Sequence, residues 1–582
     1  MKTMLNKLYI LFAITFLLSS CSSDFLDRTP QGEFSDASLW SDPNLVEAFV
    51  NARYNKIGHG WAESWMSSVC DETYLTWSRG CEPLTQGYVS PSDLGRMNGA
   101  WWGWDNRSWA TVWANIGKCN MFLEKVDGVT FTDTSKKSRL TGEVKFIRAL
   151  MYFDLVHRWG GMPLITKSFD LNTVSEITTI KRNSYKENVD FIVSECDAAA
   201  ALLPASYSTA SLKGRATSIA ALALKSRMLL YAASPLMNDT RSDDPNYLVH
   251  YQTPATDRWQ KAADAAQAVI TQALANGYSL YNKYGSDIKT NYTKLFLDCG
   301  NSEVIFDREG GTSASGTNLS YLDQSNGPNG YGQWGGNTPT AEFVDAFEMS
   351  DGTQFDWNNP SQKANPYANR DPRLYATVLC NGDPWMTRNI ETYLFIDANG
   401  NESGGRDSKY GGDSWNTSKT GYNVRKFMDE SYVTNSWNFP NAKNWIWFRL
   451  GEFYLNLAEA QYNAGKETEA KAALNVIRNR AGMPQVTSSG SQLWNDIVYE
   501  RRVELAFEEH RFFDVRRWKI ADDVFNKNAT GILIYKKSDG TFTYTPNQLV
   551  ESRKFVGPKM YWLPIPKSEI DKNPNIEQNP GY

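Results

Sequence analysis

Along the chain, the first distinct pattern is an apolar run from Leu8 to Leu18 behind Lys2 and Lys7. It is too short to span a bilayer as a mature helix and has the form of a cleaved secretion signal. Further on, apolar and small residues recur at helical spacing over about 138–159, 187–203, 216–233, 256–276, 448–464, 467–481 and 492–510, which predicts a mostly α protein. Leu450, Phe453, Tyr454, Leu457, Ala458 and Ala460 share one helix face, and Asn463-Ala464-Gly465 ends that helix. A second helix follows at once from Glu467, with Ala470, Ala473, Leu474, Ile477 and Ala481 inward, and stops at Gly482-Met483-Pro484. This is a tetratricopeptide-like hairpin. The segments Lys213 to Ala233 and Arg258 to Ala275 have the same character, with small residues where two helices must approach. Such units stack side by side.

Between about 277 and 447 the pattern changes to short β-prone runs separated by Gly, Asn, Asp and Ser, and 60–109 is a second loop-rich stretch. Long polar loops of this kind commonly carry function. No Pro-rich or Gly/Ser-rich linker divides the chain. The expected organisation is therefore a signal peptide over 1–20 and one domain over 21–582, with an N-terminal part to about 330 and a C-terminal part from about 331.

The end of the apolar run adds chemistry. Leu18-Ser19-Ser20-Cys21 has the large-small-small-Cys order of a lipobox, which predicts lipidation of Cys21 and retention on a membrane. Loss of the two positive charges of Lys2 and Lys7 takes the formal net charge from −5 to −7. No basic run with interleaved aromatics offsets this, which argues against a nucleic-acid partner. Cys70, Cys81, Cys119, Cys196, Cys299 and Cys380 are scattered without a CxxC pair, so zinc and thioredoxin-like chemistry are unsupported. Pairing of Cys70 with Cys81 and free buried thiols both stay open.

Catalytic patterns are equally sparse. His59, His157, His250 and His510 stand far apart, Glu508-Glu509-His510 lacks the second His of a zinc helix, and no GxSxG elbow or phosphate loop occurs. No cofactor is expected. The loop Asp and Asn residues leave a structural Ca²⁺ open, without EF-hand spacing.

Several motifs, taken in order, resemble the SusD/RagB family of outer-membrane glycan-binding lipoproteins. They include Asp24-Phe25-Leu26-Asp27 with Pro30, Glu143 to Ala149 with Gly160-Gly161-Met162-Pro163, Tyr231-Ala232-Ala233-Ser234-Pro235, and Arg370-Asp371-Pro372-Arg373. The closing third adds Ile477 to Pro484, Glu500-Arg501-Arg502-Val503-Glu504-Leu505-Ala506-Phe507, Arg511 to Trp518, Leu563-Pro564-Ile565-Pro566 and Asn579-Pro580-Gly581-Tyr582. The spacings of Arg501, Arg502, Glu504 and Arg511 suit ion pairs that serve the fold. The resemblance implies four tetratricopeptide-like helix pairs carrying irregular loops and short β-hairpins. It also implies a surface-exposed, lipid-anchored place in the outer membrane, an oligosaccharide or polysaccharide ligand, and a SusC-like TonB-dependent transporter as partner.

Aromatic residues make up 13% of the chain, with 21 Trp, more than a core of this size requires. Sugars offer flat C–H faces and hydroxyl edges, so a capture site needs exposed aromatic plates beside short polar groups. Two loop clusters supply both: Trp77, Arg79, Tyr88, Trp101, Trp102, Trp104 and Asn106 in the first, Tyr321, Tyr331 and Trp334 in the second. Trp101, Trp102 and Trp104 cannot all face one core, whereas Trp109 and Trp113 are spaced to pack inside from a helix. Two rival readings remain: a helical-repeat glycoside hydrolase, which needs two opposed carboxylates, and a lid of the same family that captures peptides or other nutrients.

Overall fold

The computed structural model describes residues 36–61, 64–99, 105–170, 172–310, 322–431 and 443–582. Cys21, Trp101, Trp102, Trp104 and Tyr321 lie outside the described residues. Helix α1, Pro43–Tyr54, opens behind Asp42, whose carboxylate accepts the Asn44 N–H. Then come α2 Trp109–Lys125, α3 Thr134–Trp159, α4 Tyr185–Leu202, α5 Ser218–Ala233 and α6 Asp257–Ala275. Ser108, Asp133, Ser184 and Thr217 cap four of these starts, and Ser184 and Glu187 close a capping box. Each cap satisfies an amide that the first helical turn leaves without a partner.

The chain then leaves the helical stack over 276–449 and returns with α7 Leu450–Asn463, α8 Glu467–Arg480, α9 Gly490–Glu504 and α10 Arg511–Arg517. Each helix from α2 to α9 packs on the next, with α6 against α7 across the excursion. Eight helices in line make the four pairs that the resemblance implies. Within the stack, Phe146, Leu150, Leu224, Phe453 and Leu474 are buried.

One expected helix is shorter than its pattern. The 492–510 run ends at Glu504, because Phe507 and Glu509 take positive φ of 63° and 67°. The turn they make is held by charge: Glu508 pairs with Arg449 and Lys426, and the Phe507 N–H donates to Glu72. Those contacts offset the cost of two left-handed non-glycine residues.

Most strands are short. β1 Thr73–Leu75 pairs antiparallel with β3 Asn337–Pro339, and β2 Val304–Arg308 with β6 Trp445–Arg449. Of these, β2, β3 and β6 are largely buried. A four-stranded sheet runs in the order β8–β7–β4–β5, from β4 Leu394–Ile396, β5 Glu402–Gly404, β7 Ala529–Lys536 and β8 Phe542–Glu551. Among the described residues, no helix is long and apolar enough to cross a membrane.

Buried ion pairs fasten the excursion to the stack. Glu504, at the end of α9, accepts from Arg449 at 2.8 Å, Arg373 at 3.2 Å, the Tyr292 hydroxyl at 2.6 Å, and Arg480. Burial pushes its carboxyl up, but Arg480, Arg449 and Arg373 outweigh that and hold it well below the usual carboxylate range. Arg501 joins Asp514 and Asn456, while Arg511 and Arg502 converge on Asp71 beside β1. These family arginines and Glu504 therefore serve the fold, as their spacing suggests. Cys70 and Cys81 do not pair; both are buried free thiols. Among the described residues, no three His, Cys, Asp or Glu side chains gather as a metal-ligand set.

Candidate functional site

The β1–β3 ladder builds the main feature of the loop face. Leu75 pairs with Asn337, and beyond that register the Thr76 N–H donates to the Gly336 carbonyl at 2.9 Å. Just beyond stand Trp77 on one side and, one residue past Gly335, Trp334 on the other. Their rings meet edge to face, 6.0 Å between centroids at 75°. A side chain at position 336 would collide with the Trp77 ring, 2.9 Å from an added Cβ, so glycine there lets the indole lie against the backbone. Both tryptophans are half-buried. The Trp334 N–H donates to the Gln324 carbonyl, and the Trp77 indole N–H donates to Asn416 at 3.1 Å.

That last bond brings in a residue sequence reasoning missed. Trp415, beside the buried Asn416, is 61% exposed, and Tyr410 in the same loop is 48% exposed. The 406–417 loop lies against the 324–336 loop through Asn329, whose amide donates to the Asp413 carbonyl at 2.8 Å. The available signal was a single Trp in a polar run, Asp413-Ser414-Trp415-Asn416-Thr417, with no helical or strand periodicity to bury it.

Tyr331 sits in the same loop with its hydroxyl committed. It donates to the Trp385 carbonyl at 2.5 Å and accepts the Arg388 N–H at 3.1 Å, under the Arg388 guanidinium 4.4 Å from its ring centre. Arg388 in turn forks onto Asp407 at 2.6 and 2.9 Å. Tyr331 thus fastens the loop to its neighbour and leaves only part of its ring outward.

Arg79 lines a separate polar cleft of about 590 Å³ with Asp93, Asn98, Lys567, Ser568 and Asp571, joining the first loop cluster to the C-terminal segment. Tyr88 is 51% exposed. Asn106 has a positive φ of 58°, and its amide donates to the Asn55 carbonyl at 3.0 Å, closing a turn. The structure therefore brings Trp77, Trp334 and Tyr331 into one face, and places Arg79 at a neighbouring cleft.

The surface is two half-buried indoles and one bare one on a loop pair pinned by buried bonds. It can stack flat apolar faces and offer amide edges at fixed positions. Residues 302–582 match the SusD family, and residues 96–230 match a family described as "Starch-binding associating with outer membrane". A SusD-like protein of Bacteroides fragilis, solved by crystallography, is 30% identical, superposes with a TM-score of 0.75, and covers 95% of this chain and 100% of its own. The chain belongs to the SusD family. A second crystal structure, a SusD-like carbohydrate binding protein of Bacteroides fragilis, is 23% identical with a TM-score of 0.72 over 93% of this chain and 100% of its own. SusD-like protein P2 of Formosa agariphila is 24% identical over 99% of this chain and 100% of that protein. This SusD-like chain thus shares its fold with the first of these crystal structures over nearly its whole length.

Proposed function

We propose that this SusD-like chain is a cell-surface lipoprotein, anchored through Cys21, that captures oligosaccharide or polysaccharide and hands it to a SusC-like TonB-dependent transporter. It does so without catalytic chemistry of its own. The observation that carries the reading is Trp415, 61% exposed beside the Trp77–Trp334 pair on a loop face pinned to a rigid stack. A ring held outward beside two further indoles on one loop pair offers a plate on which a sugar face can stack. The carbohydrate-binding relative from Bacteroides fragilis supports the same class of ligand.

The test is a glycan array followed by calorimetry on the best binder, with Trp334→Ala and Trp415→Ala alongside. Each variant is expected to lose about 1–3 kcal/mol of affinity, the range measured for stacking on one aromatic plate. Wild-type affinity in both variants overturns the site, and release of reducing ends from the bound glycan overturns the non-catalytic reading. Cys21→Ala is expected to abolish surface labelling of cells. Co-purification of a TonB-dependent barrel with the native lipoprotein checks the partner.

A further inference from the structure

The charge around Trp415 narrows the ligand class, and this step rests on the glycan-capture reading. Lys419 is exposed, and its ammonium donates to the Ser414 carbonyl at 3.2 Å, the backbone neighbour of Trp415. That bond holds a full positive charge beside the most exposed indole of the face. Lys419 has no carboxylate partner among the described residues.

A second cation comes from the same loop. Arg406 is exposed; its backbone N–H donates to Glu391 at 3.2 Å, while its guanidinium forms no ion pair among the described residues. Its carbonyl lies where a Cβ at Gly330 would fall, 2.6 Å away, so Arg406 stands at the junction of the two loops. The other cations there are spent: Arg388 on Asp407 and Lys409 on Glu402. Asp413 in the same loop and Glu391, which accepts the Arg406 amide, are the local carboxylates without an ion pair among the described residues.

The chain as a whole is net negative, at −5. Leaving Lys419 unpaired beside the Trp415 backbone, and Arg406 unpaired earlier in the same loop, costs little stability, since exposed pairs contribute little. The Lys419 ammonium is the cation held next to the Trp415 backbone, where a stacked ligand would meet it.

We propose that the Trp415 face takes an acidic glycan, whose uronate carboxylates or sulfate esters pair with Lys419 and Arg406 while a sugar ring stacks on Trp415. Planar carboxylate suits the fork of Arg406, and either anion suits the ammonium of Lys419.

The experiment measures affinity for three probe sets: oligogalacturonides, sulfated galactan oligosaccharides, and neutral laminari- and malto-oligosaccharides. At least one acidic set is expected to bind more tightly than the neutral ones and to weaken as salt rises from about 0.05 M to about 0.5 M. Which acidic set binds separates carboxylate from sulfate. Arg406→Ala with Lys419→Ala is expected to weaken the acidic probe about fivefold or more and to leave Trp415-dependent stacking in place. Both side chains are exposed, so circular dichroism and thermal melting are expected to be unchanged. Tighter binding of a neutral set, or an acidic affinity indifferent to the double variant, overturns the proposal while sparing glycan capture. Binding of no probe in any set overturns this inference, and capture falls with it only if the glycan array also yields no binder.

Discussion

The C-terminal stack and the loop face use the same residue types in opposite ways. Around α7 to α10, Arg449, Arg478, Arg501 and Arg517 are buried and paired with carboxylates; Arg449 alone reaches Glu303, Glu504 and Glu508. Around Trp415, Arg406 and Lys419 are exposed and form no ion pair among the described residues. The aromatics divide likewise. Trp159 and Trp385 are almost fully buried, whereas Trp77 and Trp334 keep part of their surface and Trp415 most of it. Charge and ring inside the stack define the fold; charge and ring on the face are held ready by that fold. Desolvation is the deciding term, because an ion inside needs its partner and one outside does not.

The sharpest way to break this contrast is to remove one partner from the buried set. Arg449→Leu takes one cation from each of Glu303, Glu504 and Glu508, leaving their buried charge to Arg480, Arg373 and Lys426, and is expected to cost about 3–5 kcal/mol, read as a lower midpoint in urea unfolding. A loss under about 1 kcal/mol, the size of a surface pair, would erase the distinction between the two regions.

Acidity gives the next effect. Burial, aided by the Asp71 charge, pushes the Glu72 carboxyl up to about 8, and burial pushes Glu348 up to about 7. Both values stand above the unfolded value of 4.5, so the folded state holds more protons between about pH 4.5 and 8. Their contribution is complete below that window, and stability is expected to fall as pH rises through it. Asp71 and Glu504, held low by arginines, act in the opposite sense, losing their contribution only in acid, below the ordinary carboxylate range. Glu72→Gln keeps a neutral acceptor for the Phe507 N–H and is expected to flatten the decline. An unchanged slope in melting temperature against pH would show that Glu72 does not titrate in this window.

Much of the stack was readable in advance. The α7–α8 hairpin shows its period, its small inward residues and its Gly-Met-Pro stop, and Arg501, Arg502, Glu504 and Arg511 carry spacings that suit ion pairs. The β7–β8 hairpin was overlooked, although Asp539-Gly540 between two β-prone runs is a turn signal. The end of α9 at Glu504 was hidden, because distant Glu72, Arg449 and Lys426 decide it. On the face, aromatic content announced a site but not its membership. Trp77 and Trp334 meet only through the β1–β3 register, and the exposure of Trp415 depends on Asn416 turning inward to Trp77. Pairing between remote segments has no local pattern.

The finest test lies within the face itself. Trp77 is both packed and outward: its indole N–H is bonded to Asn416, its edge meets Trp334, and its ring covers Gly336. Trp77→Ala is therefore expected to lower stability by about 1–3 kcal/mol and to weaken glycan binding together with it, since both loops lose their common contact. Trp415 has little packing to lose, so Trp415→Ala is expected to stay within about 0.5 kcal/mol of wild-type stability while affinity falls. Trp415→Phe keeps a plate and is expected to recover part of that affinity. Melting curves and calorimetry on the three variants decide whether packing and capture separate at Trp415. If Trp415→Ala destabilises the protein as much as Trp77→Ala, the bare indole is a structural prop, and the division between stack and face must be drawn elsewhere.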